Sequence, residues 1–179
     1  AVKMLPTLIE IVKIIGIPMY DVNRMGFSQL VEWYIMKQAP NFNEIAPNKP
    51  GYNEVQRRRL QTYQGAFVYE PKPGLYKDIV VFDFRSLYPT IIGSHNICPD
   101  MIDCECCRNA AQVINDGNEK HWFCMKRKGF IPILIEDLIT RRMRIKEIIK
   151  EEKDGKFMFL DARQNSLKLL ANSFYGYLG

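Results

Sequence analysis

Asp78-Ile79-Val80-Val81-Phe82-Asp83-Phe84-Arg85-Ser86-Leu87-Tyr88-Pro89 is the stretch on which the reading turns. Ile79, Val80, Val81 and Phe82 are β-formers in an unbroken apolar run, which predicts a buried strand over 78–84. Leu87 to Ser94 then reads as a helix with Pro89 in its first turn, where a missing N–H costs little. Strand-into-helix geometry brings the Asp83 carboxylate out at a strand end, where it can cap a helix or hold a hard cation. Magnesium takes one or two protein carboxylates plus phosphate oxygens and water, so Asp83 alone supplies only part of such a site.

Upstream of this stretch, Leu8 to Ile17 and Phe27 to Lys37 repeat apolar residues at helical spacing and predict two packed helices. Three prolines and three asparagines between Ala39 and Gly51 mark an irregular linker, and Arg57, Arg58 and Arg59 follow it. Downstream, the Asn96 to Gly129 segment is rich in Cys, Asn and Asp and lacks clear periodicity. Phe130 to Lys150 and Phe157 to Tyr177 then form two long helical patterns, separated by Glu-Lys-Asp-Gly at 152–155. A helical hairpin is the expectation there.

The chain has 179 residues, 47% of them hydrophobic, enough for a core of ordinary proportions. Its opening stretch is interrupted by Lys3, Pro6, Glu10 and Lys13, and no apolar run reaches 18 residues, so neither a membrane span nor a signal peptide is indicated. A start at Ala1 and an abrupt Tyr-Leu-Gly end suggest a segment of something longer. The net charge of +5 is concentrated: eight Lys and Arg face three acids between Lys126 and Lys150, which accounts for all of it. Clustered cations of this kind suit phosphate binding, although a solvated helix face has the same composition. Along the first long helix Arg142, Lys146 and Lys150 fall at i, i+4, i+8. Along the second, Lys168, Asn172 and Tyr175 share a face. Arg offers bidentate contact with phosphate oxygens and Lys a compact point charge.

The run D-F-R-S-L-Y-P from Asp83 to Pro89, followed by K-L-L-A-N-S-F-Y-G from Lys168 to Gly176, resembles motifs A and B of family B DNA polymerases. Tyr63-Gln64-Gly65-Ala66 resembles the Y-x-G-G/A element between the exonuclease and polymerase domains, and Glu44 to Pro50 resembles an archaeal E-x-A-P-N-K-P segment. The resemblance implies an α+β fold: a partial palm of one strand plus helices, with a two-helix antiparallel fingers hairpin. It assigns 1–50 to a helical segment and linker after the exonuclease domain, 51–129 to the first part of the palm, and 130–179 to the fingers. The implied activity is nucleotidyl transfer from a deoxynucleoside triphosphate to a primer 3′-hydroxyl by two magnesium ions. Asp83 and the backbone carbonyl of Phe84 would be metal ligands. Tyr88, Arg142, Lys146, Lys168 and Asn172 would bind the nucleotide, with Tyr88 beneath the deoxyribose. Tyr175 and Gly176 would line the nascent base pair, and Tyr63 and Gly65 would touch template DNA.

The third motif of the family, a Tyr-Gly-Asp-Thr-Asp-like pair of carboxylates, is not in the sequence, nor are a thumb or the acidic exonuclease motifs. Proofreading is not expected of this segment. Partners implied are primer-template DNA, deoxynucleotides, a companion segment or chain carrying the third motif and thumb, and a sliding clamp. The expected location is cytoplasmic and nucleoid-associated, in an archaeal cell. The competing function is an inactive palm-and-fingers module that grips DNA or nucleotide without chemistry; a reverse transcriptase is a remote third. Five cysteines, Cys98, Cys104, Cys106, Cys107 and Cys124, leave three readings open. The resemblance to thermophilic archaeal members implies a Cys107–Cys124 disulfide. Free thiols come next. A metal site comes last, because the spacing lacks a standard paired C-x-x-C, and zinc is not expected.

Overall fold

The computed structural model describes residues 4–45, 48–60, 67–115, 120–152 and 155–178. It divides into a larger unit, Ala1–Ile45 with Arg85–Gly179, and a smaller one, Ala46–Phe84. The described residues are mostly helical with one small antiparallel sheet, an α+β arrangement.

The larger unit is built around α7 (Phe157–Leu178), which packs on α6 (Phe130–Glu151), α1 (Leu5–Ile15), α3 (Phe27–Gln38) and α5 (Leu87–Ser94). The hairpin of α6 and α7 agrees with the two long helical patterns. Helix α1 ends two residues before its pattern does because Gly16 takes φ 77° and donates its N–H to the Val12 carbonyl at 2.7 Å, a left-handed C-terminal cap. A short α2 (Met19–Val22) turns the chain from α1 into α3, and a 3₁₀ turn over Ala39–Phe42 follows α3.

Ile135 and Leu138 of α6, and Leu167, Leu170 and Phe174 of α7, are buried in one core with Ile15, Val31 and Tyr34. The Tyr34 and Phe174 rings meet edge to face with centroids 6.2 Å apart. At the crossing of α1 and α7 the fully buried Ser166 hydroxyl makes hydrogen bonds to the carbonyls of Ala162 at 2.8 Å and Thr7 at 3.2 Å, so the polar atom is satisfied where the helices meet. Because the Phe174 ring is fully buried, Phe174→Ala is expected to destabilise the fold by about 3–5 kcal/mol, read as a lowered midpoint in urea. A change below about 1 kcal/mol would place Phe174 outside the core.

Between α5 and α6 the chain forms 3₁₀ turns at Pro99–Met101 and Glu105–Cys107 and a two-stranded ladder, β1 (Ile114–Asn115) against β2 (Lys120–His121). Asn96 organises the return to α6. Its amide Nδ2 donates to the carbonyls of Cys124 (2.7 Å) and Arg127 (2.8 Å), and its Oδ1 accepts from the Gly129 N–H at 2.7 Å. At Gly129 an added Cβ would lie 2.6 Å from that of Cys98, so only glycine fits before α6.

In the smaller unit α4 (Tyr52–Leu60) carries Glu54 in ion pairs with Arg57 (2.9 Å) and Arg58 (2.8 Å), and these hold the Glu54 carboxyl below its ordinary range. The buried strand expected over 78–84 does not form. Val81 is 85% exposed and Phe82 90%, and the segment belongs to no ladder among the described residues. The reason is pairing: a β-former run becomes a strand only where an adjacent strand takes its N–H and C=O groups. Asp78, with φ 57°, also starts the run in a left-handed conformation.

Candidate nucleotide-binding site

The N-cap of α5, the middle of α6 and the first half of α7 converge on Arg142. Its half-buried guanidinium donates from Nε to Gln164 Oε1 at 3.3 Å and from one terminal nitrogen to Ser86 Oγ at 3.2 Å. One side chain of α6 thus ties the N-cap of α5 to α7. Arg85 lies beside it, donating to the Met143 sulfur at 3.4 Å. Burial and the neighbouring Arg85 charge both pull the Arg142 pKa below its ordinary value. The partners of the two guanidiniums are uncharged, so an anion placed here would meet two cations already oriented by neutral groups.

Gln164 stands one helical turn before Lys168, and Asn172 and Tyr175 continue the same exposed face of α7. The opposite face carries the buried Leu167, Leu170, Ala171 and Phe174. Core burial therefore fixes the outward direction of Lys168, Asn172 and Tyr175. Tyr88, from the first turn of α5, stacks on Tyr175 with ring centroids 4.2 Å apart and planes within 12°. The strip thus has an aromatic pair at one end and the Arg142 cation, held by Gln164, at the other. Gly176 follows with open space around the position of a Cβ.

Among the predicted residues, Lys168, Asn172 and Tyr175 share one exposed face of α7, Tyr88 stacks on Tyr175, and Arg142 reaches the same helix at Gln164, one turn before Lys168. Lys146 is exposed one turn further along α6. Lys150, the last of that stripe, is paired with Glu147 at 3.0 Å. Asp83 and Phe84 are exposed at the end of the smaller unit. Tyr63 and Gly65 lie outside the described residues. Sequence reasoning missed Ser86 and Gln164, which hold Arg142. Gln164 was within reach, since it extends the Lys168 stripe by one turn; the Ser86 contact spans two helices and had no local signal.

The Cys107–Cys124 disulfide is not formed. Both are thiols with sulfurs 4.0 Å apart, and Cys106 is nearer to each. The Arg127 N–H donates to Cys124 Sγ and holds that thiol down to about 6, and the Met125 N–H lowers Cys107 in the same way. Cys98 lies apart, pushed up to about 12 by burial.

Residues 17–179 match the family model described as DNA polymerase family B. The chain is 42% identical over 178 residues to DNA polymerase 1 of Pyrococcus abyssi, covering 99% of this chain and 23% of that protein. It is 42% identical over 178 residues to the DNA polymerase of Thermococcus gorgonarius, covering 99% of this chain and 22% of that one. The structure of the family B DNA polymerase from the hyperthermophilic archaeon Pyrobaculum calidifontis superposes with a TM-score of 0.74 at 34% identity, over 99% of this chain and 23% of that one. The chain therefore spans about a quarter of the length of the relatives it matches. With a family model covering most of its residues, the chain belongs to DNA polymerase family B.

Proposed function

We propose that this chain supplies the fingers and part of the palm of an enzyme that carries out template-directed DNA synthesis, transferring a deoxynucleotide to a primer 3′-hydroxyl. The observation that carries the reading is Arg142, fixed between Ser86 and Gln164 beside the Lys168–Asn172–Tyr175 face. The α6–α7 hairpin would be the fingers, 51–129 the start of the palm, and 1–50 the segment after an exonuclease domain. Arg142, Lys146 and Lys168 bind the triphosphate oxygens, and Asn172 supports the same pocket. Neutralising the triphosphate with cations held in advance lowers the reorganisation required as charge develops on the leaving group. The stacked Tyr88 and Tyr175 present a rigid aromatic surface. Tyr88 lies beneath the deoxyribose and Tyr175 and Gly176 beside the nascent pair, with Tyr63 and Gly65 on the template.

The Asp83 carboxylate and the Phe84 carbonyl are hard oxygen donors of the kind magnesium accepts, and both residues are open to solvent. Bound there, two magnesium ions would activate the attacking hydroxyl and stabilise the pyrophosphate leaving group. The remaining ligands, and the grip on the duplex, come from a companion segment carrying the third motif and thumb. Primer-template DNA, deoxynucleotides and a sliding clamp are the partners, and the setting is cytoplasmic and nucleoid-associated. Among the described residues no helix is long and apolar enough to cross a membrane.

Lys168→Ala is expected to weaken deoxynucleotide binding by about 1.5–3 kcal/mol, the range for a hydrogen bond to a charged group, in a binding titration with the full-length protein. Unchanged affinity would remove Lys168 from the triphosphate site. Gly176→Ala separates a role on the nucleotide from one in folding. The added methyl meets nothing within the chain, so stability should hold or rise by about 0.5–1 kcal/mol while nucleotide incorporation falls. Incorporation unaffected by the methyl would mean that the nascent pair does not pack on Gly176.

A further inference from the structure

Four cysteine sulfurs converge in the segment between α5 and α6, away from the Arg142 strip. The Sγ atoms of Cys104, Cys106, Cys107 and Cys124 all lie within 4.8 Å of one another. Three separations are 3.7 Å (Cys106 to Cys107), 3.6 Å (Cys106 to Cys124) and 4.0 Å (Cys107 to Cys124). A tetrahedron of sulfurs each about 2.3 Å from a central zinc has edges of about 3.8 Å, close to the three separations among Cys106, Cys107 and Cys124, with Cys104 within 4.8 Å of each. A disulfide would bring two sulfurs to about 2.05 Å and leave the other two without a role. A multi-iron cluster would hold its cysteines further apart, because the ligands straddle several metal atoms.

The backbone is arranged to hold this geometry. The 3₁₀ turn Glu105–Cys107 gathers Cys104, Cys106 and Cys107. Cys124 is delivered from the opposite side through the Ile102–Phe123 bridge, with the Cys124 N–H donating to the Met101 carbonyl at 2.9 Å and the Asp103 N–H to the Trp122 carbonyl at 2.8 Å. Trp122 Nε1 donates to the Cys104 carbonyl at 2.9 Å, locking the two sides together. Backbone N–H groups of Met125 (3.3 Å) and Arg127 (3.4 Å) point at the sulfurs of Cys107 and Cys124, the outer-shell donation that orients and stabilises thiolate ligands.

We propose that Cys104, Cys106, Cys107 and Cys124 form a mononuclear tetrathiolate site for one zinc-class divalent ion. Binding forms four metal–sulfur bonds, releases to solvent whatever protons the four sulfurs still carry and changes no oxidation state. The resulting double negative charge lies beside Lys126 and Arg127. The ion staples the connection between α5 and α6, the helices that carry Tyr88 and Arg142, in a segment whose only described sheet is two residues per strand. The C-x-C-C spacing hides this site from a search for paired C-x-x-C motifs, since the fourth ligand arrives from 17 positions beyond Cys107.

The test is metal analysis of the full-length protein, dialysed against metal-free buffer, beside Cys104→Ser/Cys106→Ser and a Cys98→Ala control. The expected result is one more zinc equivalent per chain in the wild type and the control than in the double variant. Should the double variant not fold, the wild type decides alone: stripped protein titrated with cobalt(II) should develop thiolate-to-cobalt charge transfer and the intense visible bands of a tetrahedral ion, saturating at one equivalent. Zinc content equal in all three proteins, no tetrahedral cobalt spectrum, or iron accompanied by acid-labile sulfide would each overturn the proposal.

Discussion

Replacing Asp83 by Ala in the full-length protein is expected to lower primer extension by on the order of 10³-fold or more, with primer-template binding little changed. The magnitude follows from the chemistry, because a metal acting on developing charge contributes several kcal/mol, and about 4 kcal/mol is a thousandfold in rate. Asp83→Asn should fail nearly as completely, because an amide keeps the shape but presents a neutral oxygen to a hard cation. Asp83 is exposed, so truncation opens no cavity and the thermal midpoint should hold. Activity within a few-fold of wild type would remove Asp83 from the metal site.

The second large effect is at Arg142. Arg142→Ala removes a cation that three helices position together, and kcat/KM for nucleotide incorporation is expected to fall about 10²–10³-fold, the range for losing one preorganised donor at a charged transition state. Arg142→Lys should recover only part of this. It restores the charge but not the planar fork that reaches Ser86 and Gln164 while leaving further N–H groups for a phosphate. Because Ser86 and Gln164 are both uncharged and reach solvent, neither is left as a buried unpaired charge, and the stability loss should be small. If Arg142→Lys equals wild type, charge alone matters and the observed bracket is incidental.

Why the hairpin was legible in the sequence and the strand was not has one physical explanation. Helices α6 and α7 satisfy their hydrogen bonds within the segment, so apolar periodicity over 22 residues each was enough to place them to within one residue at either end. The 78–84 run carries equally clear β-formers, but a strand is completed by another segment, and no described residue pairs with it. The same contrast runs through the site. Lys168, Asn172 and Tyr175 were readable as one face because helical spacing is local. The Tyr88–Tyr175 stack and the Ser86–Arg142–Gln164 bridge depend on how α5 docks against the hairpin, which no local pattern encodes. The cysteines show the limit most clearly. Cys104, Cys106 and Cys107 are neighbours in sequence, but the position of Cys124 among them depends on the Ile102–Phe123 bridge and on Asn96.

The measurement that bears most directly on the proposed function is primer extension with magnesium and all four deoxynucleotides. It would use this chain alone and this chain mixed with a segment carrying the third motif and thumb, with Asp83→Ala and Arg142→Ala forms of the chain as controls. Synthesis in the mixture that is abolished by Asp83→Ala and strongly reduced by Arg142→Ala is the predicted result. A mixture that binds primer-template DNA and deoxynucleotide yet never extends the primer would contradict it, and would identify the chain as a binding module without chemistry.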